Sequence, residues 1–309
     1  MADAGGTGRA RPRRAIAIGA LAAVVIGVFV ALAVSNAERG EPAASAPTPT
    51  ETGAATATPA EPTPTPTPTP TGYPANTTSY DVTTLPPVTV FSVIPELPVD
   101  DDPFAAASGF TALAGAAGAP VFADPTGEPV AYVPREYSYG GTTLPIVEKQ
   151  DDWVEVLLTG RQAVPSQGDP AQVTGWLRVA DVEIAPIDVE VLVDISDRTV
   201  DIVRGGVAER IATDFAWGAE DTPTPMGRAF IMMTRVVPEY WYTRGNPIVY
   251  LSVQSPTLDG FAGANVAVTA FHYHDDRTGP ISNGCIRLGP EPIAALAELP
   301  EGTPVTIAP

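Results

Sequence analysis

The residues with the clearest chemical potential lie close together near the end of the chain. The only cysteine, Cys285, follows the only two histidines, His272 and His274, within one short stretch. A thiol is a strong nucleophile as thiolate, and histidine is the side chain best suited to take its proton near neutral pH. The spacing alone leaves two interpretations open. Cys285 is either a nucleophile with a histidine base or an inert cysteine that packs as a small apolar residue.

The sequence around this cysteine resembles the cysteine motif of the L,D-transpeptidases, the YkuD family. The resemblance is carried by Ser282-Asn-Gly-Cys-Ile-Arg-Leu288, preceded by His272 at the end of the strand-like run 265–271. Asn283 stands where many family members have histidine, and the loop between His272 and the cysteine is short for the family. The resemblance extends over about 187–307.

The resemblance implies an enzyme that remodels peptidoglycan and needs no cofactor. The Cys285 thiolate would attack a donor stem peptide and form a thioester, D-Ala would leave, and an amine of an acceptor stem peptide would complete the cross-link. His272 would be the base, and it would hold the pKa of the thiol below its free value. His274, beside Asp275 and Asp276, would lie in a solvated loop.

The other residues of the motif receive supporting roles. Backbone N–H groups of Gly284 and of the nucleophile would stabilise the oxyanion. Ser282 and Asn283 would brace this loop and line the cleft. Arg287 would orient the loop or meet a substrate carboxylate, although a surface ion pair explains it equally well. Tyr273 is a further candidate for substrate binding.

Two other functions fit the same residues. With water as the acceptor, the enzyme would be an L,D-carboxypeptidase. A non-enzymatic protein that only binds the cell wall is the second alternative, although a binding module has no need of a thiol. No metal is expected, because two histidines and one cysteine are too few for a usual zinc site.

The charge of the chain excludes one class of partner. Of its 309 residues, 17 are basic and 36 acidic, which gives a net charge of −19. Nucleic-acid binding needs a concentrated cationic face, so nucleic acid is not an expected partner.

A lone cysteine in an exported protein is either a reactive thiol or an intermolecular link.

The first third of the chain is predicted to be an anchor and a tether. Residues 1–14 are basic and should stay in the cytoplasm, and residues 15–34 carry no charge over a length that can cross a bilayer. They are interpreted as a single-pass membrane helix with the remaining chain outside, or as a signal peptide of a protein secreted into the wall. Residues 35–105 are rich in Pro and Thr and are predicted to be a disordered linker.

Two mainly β domains should follow the linker. Short strand-like runs over 106–185 predict a small β-barrel that loosely resembles bacterial Src-homology-three-like domains, with Trp153 and Trp176 either binding wall peptide or lying in its core. Residues 186–309 are predicted to be the β-rich catalytic domain. There, Thr224-Pro-Met-Gly227 should shape the cleft edge, and the aromatic residues of 240–250 should be largely core, with some of them at the cleft.

Overall fold

The computed structural model describes residues 72–261 and 263–309. These residues belong to one compact unit. The predicted basic segment, the predicted membrane helix and the start of the predicted linker lie outside the described residues. In the described part of the chain, no helix combines the length and the apolar character needed to cross a membrane. The mainly β character that the sequence predicts is confirmed.

The first sheet contains seven strands. They are β1 (Phe110–Ala114), β2 (Ala119–Phe122), β3 (Pro129–Val133), β4 (Thr143–Lys149), β5 (Trp153–Leu157), β6 (Thr174–Arg178) and β7 (Val182–Pro186). Their order is β3-β2-β6-β5-β4-β1-β7, and every neighbouring pair is antiparallel. Branched and aromatic residues favour these strands because they pack well on a pleated surface.

The second sheet contains ten strands. They are β8 (Val189–Asp194), β9 (Thr199–Arg204), β10 (Val207–Ala212), β11 (Ala216–Gly218), β12 (Gly227–Arg235), β13 (Ile248–Gln254), β14 (Val268–Tyr273), β15 (Gly279–Ser282), β16 (Ile286–Leu288) and β17 (Pro304–Ala308). Their order is β10-β9-β8-β17-β12-β13-β14-β16-β11-β15. The pairs β8–β17, β14–β16 and β11–β15 are parallel.

Helical structure is confined to short elements. The single α-helix of the described residues, α1 (Pro290–Ala297), begins with proline in its first turn, where a missing N–H costs nothing. Short 3₁₀ turns occupy Val82–Thr84, Val179–Asp181 and Trp241–Thr243.

Strand β12 joins the cores of the two sheets. Successive side chains of a strand point to opposite faces. Ala229 and Ile231 therefore pack with α1 in the core of the second sheet, whereas Phe230 and Met232 pack into the core of the first sheet. One face of the second sheet is thus partly covered by the preceding domain.

The predicted disordered linker is wrong for its last part. Apolar residues between 88 and 97 are buried in the core of the first sheet, namely Val88, Val90, Ile94 and Leu97. The carboxylate of Asp100 accepts two hydrogen bonds from the Arg228 guanidinium on β12, at 2.7 and 2.8 Å, and both side chains are nearly buried. The composition of 35–105 conceals these apolar residues because the prolines and threonines around them dominate its average.

The stretch 73–80 also packs on the first sheet. The Trp153 indole N–H donates to the Pro74 carbonyl at 2.9 Å, and the Arg178 guanidinium donates to the carbonyls of Asn76 and Thr78. Rings of this stretch meet the sheet edge-on, as the pairs Tyr73–Trp176 and Tyr80–Phe122 show. Of the two interpretations of the tryptophans, the structure favours the core, since the chain itself covers them.

Candidate active site

Two neighbouring parallel strands bring the predicted catalytic residues together. In β14 and β16, Phe271 pairs with Ile286 and His272 pairs with Arg287. Phe271 and Ile286 point into the core of the second sheet. Because side chains alternate along a strand, His272 and Arg287 point to the opposite face, and so does Cys285, one residue before β16. The twelve residues between His272 and Cys285 thus return the thiol to the strand beside the histidine.

This face forms the floor of an open cleft of about 620 Å³. The cleft is lined by residues from several elements of the second sheet: Tyr240, Tyr242, Ile248, Tyr250, Phe261, Ala264, Val266, Val268, Ala270, His272, His274, Ser282, Asn283, Cys285 and Arg287. Its walls are mainly apolar and aromatic, with the thiol, the imidazoles and a guanidinium as the groups able to do chemistry. Such a composition is typical of ligand sites.

His272 is held as a neutral base. Its side chain is 7% exposed, and its Nδ1 lies 2.8 Å from the carbonyl oxygen of Tyr273. Since a carbonyl only accepts, Nδ1 must donate, which leaves Nε2 as the acceptor. Burial, together with the charges of Arg287 and His274, lowers the pKa of His272 to about 4, despite the opposing hydrogen bond to the Tyr273 carbonyl. At neutral pH the imidazole is therefore free to take a proton.

Cys285 is held as a thiol. The residue is half-buried, and burial raises the pKa of its thiol above the usual value. The Ala270 N–H and the Arg287 charge act in the opposite direction. The prediction that His272 lowers the pKa of the thiol is therefore wrong for the free enzyme. Burial penalises both charged forms, so the resting pair is a neutral thiol and a neutral imidazole.

Ser282 braces the loop that carries the nucleophile. Its buried hydroxyl donates to the Cys285 carbonyl at 2.6 Å and accepts from the Gly284 N–H at 3.1 Å. Gly284 has a φ of +105°, a backbone conformation that favours glycine. Its N–H is engaged by Ser282, so the predicted oxyanion role of Gly284 does not fit this geometry. Asn283 is exposed at the cleft, as the sequence suggested.

The turn before β12 supports the same loop from below. The Thr222 hydroxyl donates to the Ser282 carbonyl at 2.9 Å. Thr224 is buried, and its hydroxyl accepts from the Gly218 N–H at 2.9 Å. Gly227 has a φ of +102°, and a Cβ there would crowd Pro103. These contacts agree with the structural role that the sequence indicated for this turn.

The two predicted substrate-binding residues lie in different environments. Arg287 lines the cleft, its Nη1 donates to the Asp276 carbonyl at 3.3 Å, and its buried Nε has no partner in the described structure. As a residue of the cleft lining, it stays a candidate for contact with a substrate carboxylate. Tyr273 points away from the cleft because it alternates with His272. Its hydroxyl donates to Asp275 at 2.9 Å, so the substrate-binding prediction for Tyr273 does not fit the structure.

An aromatic cluster beside the histidines was only partly foreseen. The Tyr242 ring centroid lies 5.4 Å from that of His272 and 5.7 Å from that of His274, and Tyr240 stacks on Tyr242 at 5.6 Å. His274 therefore lines the cleft, and it begins a loop whose next residues, 275–278, are exposed, in agreement with the predicted solvated loop. The spacing of the histidines was the available signal, since residues two apart share a face of a strand. Burial raises the pKa of Tyr250 to about 12, so this tyrosine stays protonated.

The described residues offer no cluster for a metal. Among them, no group of three or more His, Cys, Asp or Glu side chains is arranged to hold an ion.

Residues 188–307 match the family model described as YkuD, the L,D-transpeptidase catalytic domain. This part of the chain is similar to the L,D-transpeptidase catalytic domain. The YkuD match begins at the first strand of the second sheet and includes His272 and Cys285, so its bounds agree with the domain that carries the cleft.

Solved L,D-transpeptidases show weaker likenesses. A mutant of the Enterococcus faecium L,D-transpeptidase is 21% identical, covers 39% of this chain and 49% of its own, and has a TM-score of 0.27. The enzyme from Stackebrandtia nassauensis is 21% identical, covers 40% and 57%, and has a TM-score of 0.28. L,D-transpeptidase 3 from Mycobacterium tuberculosis is 13% identical, covers 56% and 100%, and has a TM-score of 0.30.

The chain spans about half the length of the first solved structures it matches, 49% in each case. No curated protein matches the sequence. The relation to the transpeptidases therefore depends on the YkuD match and on the geometry of the cleft.

Proposed function

We propose that this protein is a peptidoglycan L,D-transpeptidase that cross-links stem peptides through a thioester on Cys285. One observation supports this most directly. Within a YkuD domain, the only thiol of the chain and a neutral histidine with a fixed tautomer share one face of two adjacent strands, at the floor of an open cleft. Covalent acyl transfer needs this combination of nucleophile and base.

The first half-reaction begins with neutral partners. As the Cys285 sulfur bonds to the donor carbonyl carbon, Nε2 of His272 takes the thiol proton. The N–H of Cys285 and the guanidinium of Arg287 are the groups we assign to the developing oxyanion and to a substrate carboxylate. The carbon–nitrogen bond to D-Ala then breaks, and the imidazolium returns its proton to the leaving amine.

The second half-reaction reverses these steps with a new amine. An amine of a neighbouring stem attacks the thioester, His272 accepts a proton from it, and the carbon–sulfur bond breaks to regenerate the thiol. Water in place of this amine would give the carboxypeptidase reaction.

The test is intact-protein mass spectrometry with a synthetic donor tetrapeptide, followed by analysis of the products after addition of an acceptor stem. We expect an acyl adduct on Cys285, loss of D-Ala, and a cross-linked dimer. Cys285→Ala should form neither adduct nor dimer. An adduct that yields only hydrolysed donor would favour the carboxypeptidase, and absence of any adduct would favour a wall-binding protein.

We further propose that the folded part works outside the cytoplasmic membrane, held by the segment 15–34 and the Pro/Thr-rich stretch after it. The arginines before the apolar segment and the absence of charge within it support this placement. Protease treatment of protoplasts should release the folded part, and complete protection would contradict the placement.

We also propose that the first sheet is a Src-homology-three-like domain, on the basis of its seven short antiparallel strands.

A further inference from the structure

One wall of the cleft comes from the loop between β13 and β14. This 255–267 loop contributes Phe261, Ala264 and Val266 to the lining opposite the aromatic cluster. Hydrogen bonds within the loop are few and local. The Ser255 N–H donates to the Ala267 carbonyl at its base, and the Phe261 N–H donates to the Val266 carbonyl nearer its tip. Loops of this kind need external contacts to hold one conformation.

One external contact comes from the catalytic domain itself, where the Thr257 hydroxyl donates to the Asp221 carbonyl at 2.9 Å. The contacts nearer the cleft-lining residues come from the preceding domain, through Arg161. This residue lies between β5 and β6 and is 1% exposed. Its Nη2 donates to the carbonyl of Asp259 at 2.5 Å and to the carbonyl of Asn265 at 2.9 Å. One guanidinium nitrogen thus joins the two sides of the loop, and its two bonds bracket Phe261 and Ala264 of the cleft lining.

A second side chain of the same domain fixes the same loop. The Asp259 carboxylate accepts from the Ser166 N–H at 2.9 Å and from the Ser166 hydroxyl at 2.6 Å. Further along the interface, the Gln254 amide at the end of β13 donates to the Val90 carbonyl at 2.9 Å. The first domain therefore holds this loop at its base and along its length.

Stability alone is a poor explanation for Arg161. Its Nε and Nη1 are buried without hydrogen-bond partners in the described structure. Burying a guanidinium is costly unless its donors are satisfied, and a well-packed apolar side chain at such a position is often as stable or more stable. The unpartnered donors therefore indicate that residue 161 is an arginine because of its two hydrogen bonds to the loop, and not because of a gain in stability.

We propose that Arg161 is a positioning residue for the active site, through which the preceding domain sets the 255–267 wall of the cleft. This inference rests on the proposed function in one respect, because it takes the ligand of the wall to be a stem peptide. The small domain is then a part of the catalytic cleft rather than only a spacer. Its removal or mispositioning would change substrate binding without touching Cys285 or His272.

The experiment uses the full-length chain with Arg161→Met, which keeps the apolar stem and removes the donors. The KM for a donor tetrapeptide should rise about tenfold, the effect of losing a charged hydrogen bond, while kcat changes less. Alkylation of Cys285 by iodoacetamide should keep its rate, because this small reagent does not need the wall. Alkylation by the bulkier N-phenylmaleimide should accelerate relative to iodoacetamide.

Controls separate positioning from general loss of structure. Arg135→Met breaks a half-exposed ion pair with Glu183 on the same domain and should leave both alkylation rates and the KM unchanged. Arg161→Lys keeps a cation that can reach one carbonyl and should restore part of the wild-type KM. Should Arg161→Met fail to fold, the lysine variant carries the same readouts with a smaller change.

Hydrogen exchange gives a readout that needs no activity. In Arg161→Met, the amides of Phe261 and Ala264 should exchange faster, while the amide of Gly284 should not. Faster exchange at all three positions would overturn the positioning role. So would an unchanged KM together with an unchanged alkylation ratio, meaning the rate with N-phenylmaleimide divided by the rate with iodoacetamide. If the wild-type protein forms no acyl adduct, the proposed function fails, but the alkylation ratio and the exchange pattern still decide the role of Arg161.

Discussion

In weak acid, the wild-type protein should lose part of its unfolding free energy because His272 becomes protonated. Replacing His272 by glutamine should remove this part of the loss. In the folded protein, burial lowers the pKa of His272 from 6.5 to about 4, so the unfolded chain binds a proton more readily between these values. The contribution of the neutral imidazole to the unfolding free energy is fully present above pH 6.5. It is lost as the pH falls towards 4, because protonation then favours the unfolded chain.

The magnitude follows from the two pKa values. A shift of one pKa unit corresponds to about 1.4 kcal/mol, so the complete loss is about 3 kcal/mol, with about 2 kcal/mol of it between pH 7 and pH 5. Urea unfolding followed by tryptophan fluorescence at both pH values measures this difference. His272→Gln should lose about 2 kcal/mol less than the wild-type protein over the interval. Other titrating groups cancel when the two proteins are compared.

His274→Gln is the matched control, since it lines the same cleft and leaves His272 in place. It should retain the wild-type dependence of unfolding free energy on pH. If His272→Gln and the wild-type protein lose equal stability between pH 7 and pH 5, the imidazole is not held neutral by burial. The proton-accepting state assigned to the resting enzyme would then be wrong.

Three further predictions concern residues outside the dyad. Asp100→Asn should lower the unfolding free energy by about 3 kcal/mol, because it leaves the Arg228 guanidinium buried without its counter-charge, as thermal and urea unfolding can measure. Ser282→Ala should leave the buried Gly284 N–H and the Cys285 carbonyl without their partner, lower the unfolding free energy by about 1–3 kcal/mol and slow acylation of the cysteine by about tenfold, as urea unfolding and stopped-flow acylation can report. Arg178→Met should increase proteolytic cleavage within 73–80, since it removes two hydrogen bonds to that stretch, and an unchanged digest would contradict the docking.

The sequence indicated the loop that carries Cys285 because the residues that shape this loop are contiguous. Ser282, Gly284 and Cys285 form one motif, and a tight turn at glycine leaves few alternatives for the backbone. The strands were predicted with similar success, since branched and aromatic residues in short runs between turns favour β structure. Val189–Asp194 and Thr199–Arg204, for example, form the expected pair of antiparallel strands.

The errors have a common physical cause, which is that they depend on contacts between distant parts of the chain. The ordered stretch before residue 105 is stabilised by partners such as Trp153 and Arg228, which composition cannot reveal. The direction of the Gly284 N–H depends on the rotamer of Ser282. The protonation states of His272 and Cys285 depend on burial, and the spacing between two residues contains no information about it.

The most direct test of the central claim is the mass of the intact protein after incubation with a donor stem peptide. We predict a single acyl adduct that maps to Cys285, forms with release of D-Ala, and forms far more slowly in His272→Gln than in His274→Gln. Equal rates in the two histidine variants would contradict the assignment of the base. An adduct that persists in Cys285→Ala, or D-Ala release without any adduct in the wild-type protein, would contradict thioester catalysis by this cysteine.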